Sequence, residues 1–114
     1  MKGQSFGRRL RFAVDGIYMA FRREHSFRFQ VLAVAGVLLV LLLTRPSPVW
    51  WAIGALAVGL VLMAELFNTA VEVLADHLHP EQHPEIRAVK DIAAGAVLIA
   101  SIFAALVAVA FVFA

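Results

Sequence analysis

The fold is decided by residues 92–114, which read IAAGAVLIASIFAALVAVAFVFA and contain one polar side chain, Ser101. At ~1.5 Å per residue, a helix of this length reaches about 35 Å, which is long enough to cross a bilayer. Within it, alanine recurs every fourth residue from Ala96 to Ala108, and such a strip of small residues lets a second helix pack closely. These features predict a transmembrane helix over residues 87–114.

Two further apolar runs precede this stretch and predict two more transmembrane helices, over 26–44 and 49–76. Residues 31–43 carry no polar side chain, and residues 50–64 are apolar throughout. Residues 44–48 hold two prolines and one arginine, a combination that ends a helix and predicts a tight hairpin between the two spans.

The composition of the whole chain excludes a water-soluble globule. The chain has 114 residues, of which 62% are hydrophobic and 16% charged, whereas an average soluble domain is about 45–50% apolar and about 25% charged. A domain this small buries only about two-thirds of its surface, so the surplus apolar side chains must face lipid. The lack of cysteine excludes disulfides and thiolate metal sites, and the three apolar runs are atypical of nucleic-acid binders. We predict an all-α integral membrane protein that binds no nucleic acid.

The N-terminal segment has a different character. Seven of the ten basic residues lie in the first 28 positions, where no uninterrupted apolar run occurs. On a helix, six apolar residues of this segment share one face and five charged residues share the opposite face. That pattern predicts an interfacial helix over residues 1–25 at a membrane surface. By the positive-inside rule, we expect the N-terminus and a polar loop over 77–86 to face the cytoplasm.

A polar stripe follows the second apolar run. Spacings of three, four and four put its members on one helix face: Glu65, Asn68, Glu72 and Asp76. Glu65 should lie within the inner leaflet, where an ionisable side chain is costly and therefore needs a partner or a use. The functional interpretation is a site for a divalent cation and a polyphosphate, because Mg²⁺ prefers one or two carboxylates together with phosphate oxygens. In the structural interpretation, Glu65 only pairs with Arg28 or Lys90, and the last two carboxylates lie at the wet end of the helix.

Three further groups bear on this site. Lys90 and Asp91 begin the third span from the same side, where a lysine either neutralises a transferred phosphoryl group or serves only as a membrane-surface anchor. Glu24 lies at the entrance of the first span, either as a further metal carboxylate or as a surface ion pair with the neighbouring arginines. The histidines of 77–86 lack zinc-site spacing and fit better the covering of a nucleotide. The chain has no P-loop, protein-kinase or G-x-S-x-G motif.

These residues resemble the prokaryotic diacylglycerol kinase family, small integral membrane enzymes that include the undecaprenol kinases. The resemblance covers nearly the whole chain and rests on four blocks: Glu24-x-x-Phe27-Arg28, Glu65-x-x-Asn68-x-Ala70-x-Glu72-x-x-x-Asp76, Glu81-x-His83, and Lys90-Asp91 followed by Ala93-Ala94-Gly95-Ala96-Val97. It implies a homotrimer of three-span subunits in a bacterial inner membrane, each with an N-terminal surface helix, whose active sites are shared between neighbouring subunits.

The resemblance also implies a reaction, transfer of the γ-phosphoryl group of Mg-ATP to a lipid hydroxyl, and roles for the matched residues. Glu65 corresponds to the general base, and Glu24 and Glu72 correspond to ligands of Mg²⁺. Nucleotide contacts are implied for Glu24, Glu72, Glu81, Gln82, His83, Lys90 and Asp91. Lipid contacts are implied for Phe27, Arg28, Glu65 and Ala94. Asn68 and Asp76 correspond to polar residues that orient the site. The chain departs from the family at Gln82, where an aromatic residue is common, and at Phe12, where many relatives carry tyrosine.

The sequence leaves the acceptor lipid and two other functions open. The family's general activity implies diacylglycerol, which would give phosphatidic acid, whereas the block at 93–97 is closer to the pattern of undecaprenol kinases. A small ion-coupled transporter would use Glu65 as a relay carboxylate, but the outer half of each predicted span lacks ionisable residues. A holin-like or scaffold protein would have no use for the polar stripe together with Lys90.

Overall fold

The computed structural model describes residues 3 and 5–114, and it consists of four helices in chain order. They are α1 (Phe6–Arg23), α2 (His25–Thr44), α3 (Pro48–Leu78) and α4 (Pro84–Val112). Over this described part the chain contains no strand, so it is all-helical, as its apolar runs predict. Residues 1, 2 and 4 of the helix predicted over 1–25 lie outside the described residues.

Three of the helices, α2, α3 and α4, are long and apolar enough to cross a membrane. α2 has 20 residues, α3 has 31 and α4 has 29. At ~1.5 Å per residue, α3 is roughly 46 Å long, whereas a bilayer's hydrocarbon core is only about 30 Å thick. The helix that carries the polar stripe is therefore longer than the apolar layer that it can cross.

Local backbone geometry sets the ends of the first helices. Ser5 caps α1 by accepting a hydrogen bond from the Arg8 N–H at 3.4 Å. Glu24 is extended, with φ −109° and ψ 115°, and it separates α1 from α2. α2 ends at Thr44; the next residue, Arg45, has a left-handed φ of 49° that turns the chain, and the following proline cannot continue a helix. The first hairpin therefore occupies only 45–47, within the predicted 44–48.

The connection between α3 and α4 is shorter than the polar loop predicted over 77–86. α3 continues to Leu78 and α4 starts at Pro84, which leaves only 79–83 outside the helices. Pro84 occupies the first turn of α4, where its missing N–H is not needed, and His83 caps the helix by accepting from the Glu85 N–H at 3.1 Å. A proline that sequence reasoning assigned to the loop therefore begins the helix.

The helices pack with little burial. α3 and α4 form the most extensive pair, α2 packs on α3, and α1 contacts both α2 and α3. Among the described residues, the buried hydrophobic side chains are Ala20, Phe27, Leu41, Val61 and Ala75. α4 has no buried residue at all. The apolar surface of the spans is therefore left for lipid or for other chains, which is the expected state of a membrane protein.

Candidate functional site

Glu65 is a buried carboxylate on α3, with 3% of its surface exposed. Ser26 Oγ donates a hydrogen bond to its Oε2 at 3.2 Å, and Gln30 Nε2 donates to its Oε1 at 3.4 Å. Both donors lie on α2, one helical turn apart, so α2 holds both carboxylate oxygens. The interpretation that pairs Glu65 with Arg28 or Lys90 is wrong, because these two cations bind elsewhere.

Glu72 lies two turns further along α3, where it is part of the wall of two polar hollows. The Asn68 amide forms a hydrogen bond with its carboxylate, and Glu24, Asp76 and Lys90 lie within electrostatic range of it. The larger hollow, the loop cavity, has a volume of about 540 Å³ and lies between the ends of α3 and α4. The smaller hollow, the corner cavity, has about 400 Å³ and lies between α3 and the α1–α2 corner.

The loop cavity collects most of the residues that the sequence assigned to the nucleotide. Its wall includes Glu72, Glu81, Gln82, His83, Lys90 and Asp91, together with Ala94. Arg87, which sequence reasoning did not select, also lines it. Glu24 and Asp76 line the corner cavity instead, with Arg23 and His77. Glu72 is therefore the carboxylate that connects the two groups.

Two ion pairs cross or flank the loop cavity, and no other ion pair occurs within the described chain. Lys90 Nζ on α4 binds Asp76 Oδ1 on α3, with 31% and 61% of these side chains exposed. Arg87 Nε binds Asp91 Oδ1 at 3.1 Å, one turn along α4. The Lys90–Asp76 pair links the end of α3 to the start of α4 and places an ammonium group beside the cavity.

The residues of the 79–83 loop are fixed by contacts of their own. His79 Nδ1 lies 2.9 Å from the Glu81 carbonyl oxygen, and the rings of His79 and His83 meet edge to face at 5.2 Å. His83 also caps α4. The loop therefore presents a defined wall to the cavity, and Glu81 and Gln82 are held between two anchored imidazoles.

Phe27 and Arg28, assigned to the lipid by resemblance, lie at the α1–α2 corner and line neither of these two cavities. Phe27 is buried, with 3% exposed. Arg28 Nη1 donates to the carbonyl oxygens of Phe21 at 3.2 Å and of Arg22 at 2.9 Å, which satisfies the last turn of α1. These contacts fix the corner from which Glu24 reaches the corner cavity.

The arrangement around Glu72 fits a divalent cation. Nowhere in 3 and 5–114 does a group of three or more His, Asp or Glu side chains form a ready metal cage. Glu24 and Glu72 share the corner cavity, however, and Asn68 Oδ1 beside Glu72 is buried without a hydrogen-bond partner. Two carboxylates and a free amide oxygen are ligands that Mg²⁺ accepts when phosphate and water oxygens complete its shell.

Ser26 and Gln30 are the polar residues that sequence reasoning missed. Their spacing of four positions gives them a common face on α2, which was the available signal. That face could be assigned a partner only once the packing of α2 on α3 was known.

The chain is similar to proteins of one family over most of its length. A family model described as prokaryotic diacylglycerol kinase matches residues 11–112. The undecaprenol kinase of Bacillus subtilis is 35% identical over 92 residues, which cover 81% of this chain and 75% of that protein. The diacylglycerol kinase of Synechocystis is 35% identical over 98 residues, 85% of this chain but only 56% of that protein. The diacylglycerol kinase of Helicobacter pylori is 32% identical over 93 residues, 81% of this chain and 72% of that protein.

Proposed function

Because the chain belongs to the prokaryotic diacylglycerol kinase family, it is a multi-pass membrane lipid kinase, and we propose that its acceptor is diacylglycerol and its phosphoryl donor is Mg-ATP. The observation that carries the proposal is Glu72 in the wall of both polar hollows. On one side are the cations and loop residues suited to a triphosphate, and on the other is a second carboxylate. All of them lie at the polar end of two helices that can cross a membrane.

The loop cavity is the proposed nucleotide site. Lys90 and Arg87 offer positive charge to the phosphates, and the 79–83 loop covers the nucleotide. Glu65 lies seven residues before Glu72 on α3, which is about 10 Å deeper along the helix axis. In this proposal, the γ-phosphorus has to reach the acceptor at the depth of Glu65 for transfer to occur.

The metal proposal assigns Glu24 and Glu72 as ligands of Mg²⁺, with the free Asn68 Oδ1 available beside them. When bound, the cation neutralises charge on the phosphate oxygens. The carboxylates hold it, and Asn68 orients Glu72 through its amide. Asp76 restrains Lys90 through their ion pair, which keeps the ammonium group near the proposed phosphate site.

The reaction proposed for Glu65 is general-base catalysis. Its carboxylate accepts the proton of the lipid hydroxyl while the hydroxyl oxygen bonds to the γ-phosphorus and the bond from that phosphorus to the β,γ-bridging oxygen breaks. The products are the lipid phosphate, here phosphatidic acid, and ADP. Phosphoryl transfer needs mostly positioning and charge neutralisation, which the residues around Glu72 are suited to provide.

An apolar groove of about 720 Å³ between α1 and α3 supports a lipid acceptor. Its wall includes Ile17 on α1 and Leu66 and Val73 on α3, and Arg23 and His77 line both this groove and the corner cavity. A lipid whose chains occupy the groove would place its polar end next to the carboxylates of the corner cavity, Glu24 and Glu72. Phe27, Arg28 and Ala94 stay the further lipid contacts that the family resemblance implies.

Undecaprenol is the second candidate acceptor. The residues Ala93-Ala94-Gly95-Ala96-Val97 favour it, and so does the similarity to an undecaprenol kinase. The chemistry is the same, because both lipids offer a primary hydroxyl at the membrane surface.

The test is phosphoryl transfer by the purified protein in detergent. ATP labelled at the γ position is offered with Mg²⁺ and either diacylglycerol or undecaprenol, and Glu65→Gln serves as the inactive control. Label in diacylglycerol supports the proposal, and label in undecaprenol alone transfers the protein to the second candidate. Label in neither lipid, with the protein folded, refutes both proposed acceptors and reopens the ion-coupled transporter.

We also propose that the functional unit is a homotrimer in the inner membrane, with active sites shared between subunits and with the N-terminus and the 79–83 loop in the cytoplasm. The unburied α4 and its alanine strip support contact with a second chain. Light scattering of the detergent complex measures the subunit number, and labelling of single cysteines introduced at the ends of the helices from each side of the membrane reports the orientation.

A further inference from the structure

The carboxylate of Glu65 is held without a positive charge. Ser26 Oγ and Gln30 Nε2, both neutral donors, each bind a different carboxylate oxygen, at 3.2 Å and 3.4 Å. No arginine or lysine pairs with Glu65 in the described chain. A buried carboxylate needs partners, and here they are neutral hydrogen-bond donors instead of a cation.

The two donors act as a pair because of their place on α2. They are four residues apart and therefore lie on one face of the helix, and the extended Glu24 starts α2 just before them. Ser26 lies in the first turn, next to the corner that Arg28 fixes on the carbonyls of α1. The position of α2 relative to α3 thus decides where the Glu65 carboxylate points.

The hydrogen bonds occupy only part of the carboxylate. An ionised carboxylate has about four lone-pair sites, and the two donors occupy one on each oxygen. The remaining lone-pair sites accept no hydrogen bond from the described residues. A cation would instead have offered several donors and would have neutralised the charge that attracts the proton.

We infer that Ser26 and Gln30 are positioning residues, which orient the Glu65 carboxylate toward the lipid hydroxyl and leave one acceptor site free for its proton. The inference rests on the proposed function, in which Glu65 is the general base. The competing role is structural: interhelical hydrogen bonds from hydroxyl and amide groups also hold membrane helices together. The two roles differ in what they change, since orientation affects turnover whereas helix association affects unfolding.

The test compares Ser26→Ala, Gln30→Leu and the double variant with the wild type. Because a hydrogen bond to a charged group is strong, losing one should lower kcat about tenfold in each single variant and about a hundredfold in the double variant. The KM for ATP should stay at the wild-type value, and the fall in kcat should exceed what any loss of folded protein explains. Ser26→Thr keeps the hydroxyl group and should restore most of the turnover.

Thr44→Val is the matched control on the same helix. The Thr44 hydroxyl donates to the Val40 carbonyl oxygen at 2.7 Å, at the opposite end of α2. Its removal deletes one hydroxyl hydrogen bond of α2 without touching Glu65, and kcat should not change.

Infrared difference spectra provide a readout that needs no turnover. The spectrum of the wild type minus that of Glu65→Gln isolates the carboxylate bands of Glu65, and these bands should move in Ser26→Ala and Gln30→Leu but not in Thr44→Val. Unmoved bands would overturn the inference, and so would an unchanged kcat in the double variant of an active enzyme. A loss of kcat that follows the unfolding temperature and is not rescued by Ser26→Thr would also overturn it.

The failure of this inference is distinguishable from the failure of the proposed function. A wild type that labels neither lipid refutes the proposed acceptors, and a fully active Glu65→Gln refutes the general base. An active wild type with an inactive Glu65→Gln and an unaffected double variant refutes the positioning role alone.

Discussion

Lys90→Met separates the two roles that a cation at the start of α4 can have. Lys90 binds Asp76 on α3, and it also lines the loop cavity. Methionine keeps much of the length and apolar character of the side chain and removes only the charged group. If Lys90 contacts a phosphate of ATP, catalysis should suffer more than folding does.

The expected loss of stability is small. The side chains of Lys90 and Asp76 are 31% and 61% exposed, and an ion pair this open to solvent contributes at most about 1 kcal/mol. The expected loss of catalysis is larger, because a hydrogen bond between charged groups is worth about 1.5–3 kcal/mol, which corresponds to a tenfold to hundredfold fall in kcat/KM for ATP.

Two assays on the same preparations measure both quantities. Initial rates of label transfer at varied ATP give kcat/KM, and unfolding in detergent gives the free energy of unfolding. Arg45→Gln serves as the control, because it removes one positive charge from the hairpin at the other end of α2 and α3. It should leave both quantities unchanged.

One result would refute the reasoning directly. If Lys90→Met lowered the free energy of unfolding by several kcal/mol while kcat/KM fell only in proportion to the loss of folded protein, the role of Lys90 would be structural, as an ion pair that joins α3 to α4. An unchanged kcat/KM would remove Lys90 from the nucleotide site.

Three further predictions follow from individual contacts. Glu65→Gln should lower kcat by about 100-fold to 10,000-fold, the usual contribution of a general base, and an active variant would contradict the assignment. The variant should still fold, because Ser26 and Gln30 can each accept as well as donate a hydrogen bond. The control, Glu85→Gln at an exposed position, should keep the wild-type rate. Asn68→Leu removes the free amide oxygen beside Glu72 and should raise the Mg²⁺ concentration for half-maximal rate about tenfold, as measured by a Mg²⁺ titration at fixed ATP; an unchanged titration would exclude Asn68 from the metal site. Gly54→Ala should raise the free energy of unfolding by about 0.5–1 kcal/mol, because alanine is the better helix former and its Cβ would lie 3.5 Å from Leu41 Cδ1, an ordinary contact; a lower free energy in the unfolding assay would show that this site needs a bare backbone.

The helical architecture could be predicted from the sequence because the solvent dictates it. A run such as 92–114 has no stable state in water, and a helix satisfies its backbone within lipid. Helix ends were less predictable, since they depend on caps. Pro84 looks like a loop residue until His83 is seen to accept from the Glu85 N–H, at which point the proline becomes part of the first turn.

The acidic side of the site could also be predicted, because three-and-four spacing on one helix needs no tertiary information. Glu65, Asn68 and Glu72 are such a set. What surrounds them depends on the register of other helices. Ser26 and Gln30 are unremarkable polar residues in the sequence, and only the packing of α2 on α3 makes them the partners of Glu65. The role of Arg28 on the carbonyls of α1 was hidden for the same reason.

The excess length of α3 has a consequence for how substrate concentration should be counted. Counted from Pro48 at ~1.5 Å per residue, Glu65 lies about 26 Å along the helix and Glu72 about 36 Å, on either side of the limit of a hydrocarbon layer about 30 Å thick. The proposed reaction thus takes place at a phase boundary, where a water-soluble triphosphate and a lipid hydroxyl meet without either one partitioning into the other's solvent. Its rate should accordingly depend on the mole fraction of acceptor within the micelle or bilayer. Adding inert detergent at a constant amount of acceptor lipid should therefore slow the reaction, because it dilutes the acceptor in the surface.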